Sequence, residues 1–360
     1  MKIGIVGLPN AGKSTLFNAL TRGGAETGDY PFTTIDPNVA VVPVPDERLE
    51  RVADVVGSSE VVLETIEFHD IAGLVRGAHQ GEGLGNQFLA NIRETDAILH
   101  VVRVHDDPSV VHPDGRVDPL ADVETIETEL LFADLEQAER RLERVSKQAK
   151  SLDKMAVAEE RWLREVVDAL RAGRAVRTVP EPDDAPGAAV RLHPLTAKPV
   201  LYVANVGESE ALEPPAALVE HAAGRDARVA AVSARLDSEL SELDDEEADA
   251  MRDELGVAES GLETVVREAF ALLDLIQFFT AGQDNEARAR AIRRGTRARQ
   301  AAGAVHTDME RGFVAAEVTP WAALVEAGGY NAARERALQR VEGRDYVIQD
   351  GDVVTFRFTP

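Results

Sequence analysis

The sequence has no cysteine, which excludes a disulfide framework, a zinc–thiolate site and a thiol nucleophile. This absence fits a reducing compartment, and we expect a cytoplasmic protein. Nowhere do eighteen apolar residues run together, so the sequence predicts no membrane-spanning helix. The first apolar stretch, residues 3–8, is too short for a signal peptide.

Basic residues are also scarce, with 39 Lys and Arg against 64 Asp and Glu and a formal net charge of −25. Such a surface repels nucleic acid and anionic lipid, so we expect no DNA or membrane partner, and an RNA partner requires a local basic patch. General solubility and adaptation to a salty cytoplasm both explain the acidity. The 360 residues, 44% of them hydrophobic, suffice for two or three domains with a real core.

Short apolar runs bounded by turn residues predict buried strands at Lys2–Val6, Thr65–His69, Ala97–Val104, Val200–Ala204 and Arg228–Val232. Helical stretches such as Lys13–Thr21 and Asn86–Thr95 separate them. Strands that alternate with helices indicate an α/β fold with a parallel sheet covered on both faces.

Two segments interrupt this alternation. Residues 121–169 contain neither glycine nor proline, which predicts long helices folded into an arm inserted at 122–196. The chain ends in YVIQDGDVVTFRF, which predicts a β-hairpin around a Gln-Asp-Gly-Asp turn. We therefore expect a nucleotide domain over 1–274 and a small β-rich domain over 275–360.

The segment GLPNAGKS matches G-x-x-x-x-G-K-[ST] between a predicted strand and a predicted helix, the context that a phosphate-binding loop requires. Glycines let backbone N–H groups surround a phosphate, and the helix N-terminus adds its positive end. Lys13 is expected to bridge the outer phosphates and Ser14 to bind Mg²⁺. The residues expected to hold the nucleotide here are Asn10, Ala11, Gly12, Lys13, Ser14 and Thr15.

A second element, Asp70-Ile71-Ala72-Gly73, follows the strand TIEFH. Asp70 is expected to hold Mg²⁺ through water, and the Gly73 N–H to sense a γ-phosphate. Between the two motifs lie Thr33 and Thr34, either of which is a candidate for closing onto the metal. The glycine-rich segment after Asp70 is expected to order when a triphosphate binds.

The sequence also lacks N-K-x-D, the motif by which guanine-specific P-loop nucleotide hydrolases pair with the base. After the strand VLYVA stands Asn205-Val206-Gly207-Glu208 instead. Glutamate is one methylene longer than aspartate, and valine cannot replace the lysine, so the means of selecting guanine is lost. Backbone groups at Val206 are expected to read adenine, although a degenerate site that still prefers GTP is an alternative. Ser233 and Ala234, with Arg235, are expected to form the last loop at the base.

A glutamine after D-x-x-G often orients the attacking water, but Leu74 occupies that position. Another residue, a partner or a monovalent ion must help, and hydrolysis should be slow. The candidates are His112, on a loop after the third predicted strand, and His79 and Gln80. A solvated loop histidine without a catalytic role is the competing interpretation.

GLPNAGKST, YPFTTIDPN, DIAGLV, GEGLGNQFL, NIRET and N-x-x-E resemble the YchF-type, Obg-like ATPases. The segments FFTAG, QAAGAVHTDMERGFVAAEV and GRDYVIQDGDVVTFRF resemble the TGS module that ends those proteins. This resemblance covers essentially the whole chain. It implies a P-loop nucleotide domain, an inserted coiled-coil arm and a C-terminal TGS domain.

The resemblance further implies hydrolysis of ATP to ADP and phosphate, Mg²⁺ dependence and association with the ribosome, which we expect at the large subunit. It places Thr34 rather than Thr33 at the metal, Val206 at the base, and His112 in place of the missing glutamine. The family often has cysteine where Thr33 stands, so thiol-based regulation known in relatives cannot operate here.

Basic residues concentrate in two spans. Arginines and lysines outnumber acids in the arm over 140–177, and six arginines lie over 288–299 with no acid between them. An RNA-facing footprint is one interpretation; salt-bridged helix faces and a solvated strand edge are the other.

A ribosome-associated ATPase switch is therefore the leading hypothesis. The alternatives are a GTPase and a binding module that nucleotide holds in one conformation with little turnover. The D-x-x-G and N-x-x-E elements and the TGS-like tail argue against a small-molecule kinase.

Overall fold

The computed structural model of the protein describes residues 1–25, 38–71, 84–107, 109–113, 115–207, 212–255, 257, 260–283 and 285–359. Among these residues no helix is long and apolar enough to cross a membrane. The strands are β1 (Lys2–Val6), β2 (Val39–Val44), β3 (Glu60–Val62), β4 (Glu64–Asp70), β5 (Ala97–Arg103), β6 (Val200–Asn205), β7 (Arg228–Val232), β8 (Leu275–Thr280), β9 (Glu286–Arg293), β10 (Phe313–Pro320), β11 (Arg340–Glu342) and β12 (Asp352–Phe358).

The helices are α1 (Lys13–Ala25), α2 (Glu47–Val56), α3 (Leu84–Arg93), α4 (Pro119–Ala149), α5 (Lys154–Arg171), α6 (Ala188–Leu192), α7 (Ala216–Ala223), α8 (Ala234–Leu240), α9 (Asp245–Leu255), α10 (Gly261–Leu272), α11 (Ala298–Val305), α12 (Thr307–Arg311), α13 (Trp321–Ala327) and α14 (Tyr330–Glu335). The chain divides into two compact units, the first formed by 1–42 with 67–272 and the second by 43–66 with 273–360.

The first unit is built on a sheet of order β2-β4-β1-β5-β6-β7, in which the pairs β4–β1, β1–β5, β5–β6 and β6–β7 are parallel. All residues of β5 and β6 are buried, which explains why their sequences are mostly apolar, because both faces of a parallel sheet are covered. The five predicted strands are confirmed as β1, β4, β5, β6 and β7; β2 was not predicted. The strand order reverses at β1, and ligands of such sheets bind at the carboxyl ends beside that reversal.

The predicted long helices are α4 and α5. Pro119 begins α4 behind Asp118, whose carboxylate accepts the Ala121 N–H, and Asp153 caps α5 by accepting N–H groups of its first turn. At 31 residues, α4 is about 46 Å long. Its first half packs on the sheet through side chains such as Ile126, whereas its second half packs against α5.

A buried carboxylate ties three helices of the arm together. Glu159 of α5 accepts hydrogen bonds from Arg141 of α4 at 2.7 Å and from Arg191 of α6 at 2.6 Å. Farther along, Asp134 is also buried and accepts the Leu195 and Thr196 N–H groups at 2.8 Å each. These contacts hold the returning chain against α4 before it enters β6.

The second unit contains a sheet of order β11-β10-β12-β8-β9-β3. Residues 43–66 belong to this unit, whereas the sequence placed all of 1–274 in the nucleotide domain. The reason is long-range pairing: β3 adds to β9 in parallel, and Arg48 of α2 binds Asp350 at 2.8 Å. The division between residues 272 and 273 lies close to the expected start at 275.

The predicted terminal hairpin is wrong. β12 pairs with β10 in antiparallel and with β8 in parallel orientation, and Val347 forms only an isolated bridge with Arg297. The turn before β12 instead contacts β8: the Asp350 carboxylate accepts the Gln277 N–H, and the Gly351 N–H donates to the Gln277 carbonyl. Contacts with β8 therefore replace the local strand pairing.

Replacing Glu159 with Gln should destabilise the arm by roughly 2–3 kcal/mol, because two partly buried guanidinium groups lose their shared charge. Glu143→Gln is the matched control: its pair with Lys147 is exposed, and its loss should leave the stability almost unchanged. Urea unfolding can be followed by Trp162 fluorescence in a Trp321→Phe background, since Trp162 is buried in the arm and the chain has only these two tryptophans. Equal costs for the two variants would contradict the structural importance of Glu159.

His100 should make the first unit less stable at mildly acidic pH. Complete burial lowers the pKa of His100 from its ordinary 6.5 to about 4. Between pH 4 and pH 6.5, His100 is therefore protonated in the unfolded chain but neutral in the folded chain. The free energy of unfolding should therefore fall as pH falls through this window, by about 1.4 kcal/mol per unit. Denaturation at about pH 7 and 5.5 measures the slope, which should be shallower in His100→Phe; identical slopes would contradict the assignment.

Candidate functional site

The loop between β1 and α1 has the backbone that the phosphate motif requires. Asn10 and Gly12 have φ of 63° and 98°, a left-handed region that most side chains avoid. A Cβ on Gly12 would lie 2.2 Å from the Asn205 side-chain nitrogen, and one on Gly7 would lie 2.5 Å from the Val101 carbonyl oxygen. Glycine is therefore required at both positions by close contacts as well as by the turn.

Lys13 begins α1 and is buried, with 8% relative exposure. Its Nζ donates to the Leu8 carbonyl of the same loop at 2.8 Å, which holds the ammonium group within the loop. Burial lowers the pKa of Lys13, and the negative field of Asp70 opposes the shift. Burial raises the pKa of Asp70, and Lys13 opposes that shift in turn. The two groups therefore interact electrostatically at the end of the sheet. Ser14, next to Lys13, is exposed.

Asn205, at the end of β6, joins three segments of the site. Its side-chain NH₂ donates to the Ala11 carbonyl at 3.0 Å, and its side-chain oxygen accepts the Ala234 N–H at 3.1 Å. The phosphate loop, the strand end expected at the base and the loop after β7 are thus connected through one buried amide. Val206 follows, and its N–H donates to the Val232 carbonyl at 2.8 Å.

These segments surround a cavity of about 390 Å³, within the range typical of small-molecule sites. Residues expected at the site form one part of its lining, and residues that the sequence did not single out form another. The expected ones are Asn10, Gly12, Thr15, Asn205, Val206, Ser233, Ala234 and Arg235. The unexpected ones are Arg103, His105, Asp106, Asp107 and Val110, with Gly207 beside Val206.

Arg103 organises the unexpected wall. Although it ends a buried strand, its guanidinium donates to the carbonyl oxygens of His105, Asp107 and Val110 at 3.0–3.1 Å. The His105 ring Nδ1 lies 2.9 Å from the Asn205 carbonyl oxygen and donates to it. An arginine at the end of an apolar strand run is the one sequence signal that could have indicated this wall, but its partners are backbone groups that no pattern identifies.

His112 does not line this cavity. It has 9% relative exposure, and its Nε2 lies 2.9 Å from a carboxylate oxygen of Asp122 in the first turn of α4. The carbonyl of the preceding residue, Val111, accepts a hydrogen bond from the Asn10 side chain at 2.9 Å. The loop that carries His112 is thus tied to the phosphate loop on one side and to the arm helix on the other.

Several predicted residues lie outside the part of the chain that the structure describes. They are Thr33, Thr34, Gly73, Leu74, His79, Gln80 and Glu208.

About half of the cations in the two basic spans are ion-paired. In the arm, carboxylates within 4 Å pair with Arg140, Arg141, Lys147, Arg161, Arg164 and Arg171. In the second unit, Arg288, Arg294 and Arg297 are paired in the same way, and Arg290 donates to the Ala304 carbonyl. The interpretation as salt-bridged surfaces therefore describes about half of their members.

Comparison with known proteins gives matches over nearly the whole chain. Residues 2–149 match a family model described as a 50S ribosome-binding GTPase, and residues 275–359 match YchF-GTPase_C, described as a protein of unknown function. The Ribosome-binding ATPase YchF of Bacillus subtilis is 48% identical, with 99% of this chain and 98% of that protein covered. Obg-like ATPase 1 of Oryza sativa is 40% identical, with 99% and 92% covered.

A solved structure agrees with this assignment. The Schizosaccharomyces pombe YchF GTPase superposes with a TM-score of 0.86 at 34% identity, over 99% of this chain and 97% of that chain. This chain therefore has a mixed α/β fold, with a parallel-sheet P-loop GTPase domain and a C-terminal YchF domain. The resemblance inferred from the motifs is thus confirmed, and the chain belongs to the YchF family.

Proposed function

We propose that this protein is a ribosome-associated ATPase that binds ATP with Mg²⁺, binds GTP less well and hydrolyses ATP slowly to ADP and phosphate. One observation carries the proposal: the cavity at the carboxyl ends of β1, β5, β6 and β7, which Asn205 connects to the phosphate loop. A nucleotide hydrolase is supported by the family, whose members are named both ATPase and GTPase. The choice of ATP therefore rests on the base end of the cavity.

The base end of the cavity favours adenine. The Val206 N–H already donates to Val232, which leaves the Val206 carbonyl as the backbone group for the base. A carbonyl accepts a hydrogen bond from the adenine amino group, whereas guanine presents a carbonyl oxygen at the same position of its ring. A site with an acceptor there leaves guanine unpaired, and such a mismatch is what selects between bases.

The phosphate end suits a triphosphate and Mg²⁺. Magnesium prefers hard oxygen ligands and keeps several waters. The Ser14 hydroxyl and the Asp70 carboxylate supply such oxygens, and Thr34 is the third proposed ligand. Phosphate oxygens and water would complete the shell of the ion. The bound ion would neutralise phosphate charge, and Lys13 would exchange its Leu8 contact for the outer phosphates.

Hydrolysis should be slow because the proposed water-positioning residue is held back. With Leu74 in place of the usual glutamine, we assign that role to His112. The Asp122 carboxylate holds the His112 ring in a buried pair, so reaching the nucleotide requires this hydrogen bond to break. A partner that moves α4 or the loop before it would then stimulate turnover.

Ribosome association is proposed from the relatives. The Bacillus subtilis and Haemophilus influenzae proteins are named ribosome-binding ATPases, and the model matched by residues 2–149 is described as 50S ribosome-binding. We therefore propose the large subunit as the partner in the cytoplasm, the α4–α5 pair as the family's coiled-coil arm, and 275–360 as its TGS domain. Since eight of the fourteen arginines of 140–177 and 288–299 are ion-paired, RNA contacts should come from the cations that are not.

Nucleotide preference tests the base assignment. Wild type should bind ATP at least about tenfold more tightly than GTP, a difference of about 1.4 kcal/mol. Val206→Lys with Glu208→Asp restores the guanine motif and should shift the preference towards GTP. Isothermal titration with each nucleotide and Mg²⁺ measures both affinities, and Val206→Leu controls for a change of side-chain volume. A wild type that prefers GTP would overturn the adenine assignment.

Single-turnover hydrolysis tests His112. His112→Ala should slow ATP cleavage about 10²-fold, the lower end for a group that assists proton transfer, with ATP affinity unchanged. Asp122→Asn weakens the buried pair and should raise the rate, whereas the double variant should match His112→Ala. If Asp122→Asn instead slows cleavage as much as His112→Ala, the pair itself is the working unit. Absence of cleavage in wild type, with and without ribosomes, would favour the nucleotide-held binding module.

A further inference from the structure

The connection between α4 and α5 carries a conformational oddity. Leu152 has φ of 60°, the left-handed region that disfavours any residue with a Cβ and that turns usually give to glycine or asparagine. The turn does not depend on the leucine side chain, which is 83% exposed. Backbone bonds from Ser151 and Leu152 to Gln148 and Ala149 close the turn, and Asp153 caps α5.

Other exposed apolar side chains lie close to Leu152 in the chain. Met155 and Val157, in the first turn of α5, are both nearly half exposed. Farther along α5 the apolar side chains of Trp162 and Leu163 are instead buried against α4. We call residues 144–157 the arm tip. Three of its apolar side chains, those of Leu152, Met155 and Val157, face solvent.

The arm tip is also basic. It contains Arg144, Lys147, Lys150 and Lys154 against Asp153 alone, so four positive charges and one negative charge give +3 in a chain of −25. Within the described residues, no carboxylate lies within 4 Å of the Lys150 or Lys154 ammonium groups, and Lys147 pairs only with exposed Glu143. An exposed pair of this kind exchanges readily for another anion.

A groove between α4 and α5 adjoins the tip, with a volume of about 760 Å³. Ser146, Lys147 and Lys150 line it at the tip end, and Arg164 lines it from α5. Glu139, Glu143 and Asp168 line the groove farther from the turn, so the positive charge along this groove is concentrated at its tip end.

We propose that the arm tip is an RNA-binding surface that contacts an exposed loop of ribosomal RNA. The lysines fit phosphates, while Leu152 and Met155 fit the faces of unstacked bases, where apolar side chains insert. The charge of the tip favours RNA over a protein surface as the partner. The chain as a whole, with a net charge of −25, repels polyanions, whereas the positive arm tip attracts them. The inference rests on the proposed ribosome association and names the part of the chain that makes the contact.

Co-sedimentation with purified ribosomes and with protein-free ribosomal RNA, at several salt concentrations, tests the tip. Lys150→Glu with Lys154→Glu should weaken binding to both at least about tenfold and reduce the slope of log affinity against log salt by roughly 1.5–2. Leu152→Gly relieves the backbone and should keep the fold, yet weaken binding several-fold with the slope unchanged. Arg174→Glu, an exposed reversal beyond the other end of α5, is the control and should bind like wild type.

Three outcomes overturn the proposal in distinguishable ways. Tip variants that bind ribosomes as wild type does would show that the tip is not the contact, while ribosome association itself stands. A loss on ribosomes without a loss on bare RNA would assign the tip to a ribosomal protein. Wild type that binds neither would remove the ribosome association and the tip proposal together. Unchanged ATP affinity and circular dichroism in each variant would confirm that the fold is intact.

Discussion

One buried amide holds the candidate nucleotide site together. The Asn205 side chain donates to the Ala11 carbonyl of the phosphate loop and accepts the Ala234 N–H beyond β7. The segments that follow β1, β6 and β7 are therefore all hydrogen-bonded through this one residue. Its position 2.2 Å from where a Gly12 Cβ would lie also explains why the loop needs glycine there. Loss of this amide would leave the Ala11 carbonyl and the Ala234 N–H without their partner, and buried unpaired groups are costly.

The loop after β5 is also held by Asn205. His105 and Val104 both donate to the Asn205 carbonyl, and Arg103 draws three further carbonyls of the loop around its guanidinium. The same loop reaches the phosphate site at Asn10 and the arm at Asp122, through Val111 and His112. The phosphate loop and α4 are therefore connected by a short series of hydrogen bonds within one unit.

Charge in the arm has two different roles. Where carboxylates are buried, as at Glu159 and Asp134, they fasten helices and the returning chain, and the surrounding donors offset the cost of burial. Where ion pairs are exposed, as at Lys147, they contribute little to stability. A count of basic residues alone therefore says little about a surface for RNA, because about half of those in 140–177 and 288–299 pair with neighbouring acids.

The sequence by itself determined the phosphate loop, the buried parallel strands, the long helices and the family, because each depends on local spacing, unbroken apolar runs or contiguous motifs. Only the tertiary structure decided the rest. Residues 43–66 join the second unit because β3 pairs with β9, a strand far along the chain at Glu286–Arg293. β12 pairs with β10 and β8 rather than with its neighbour in sequence. The cavity wall at Arg103 and the pair between His112 and Asp122 likewise arise from backbone carbonyls and side chains that meet only when the chain folds, and no sequence periodicity records such contacts.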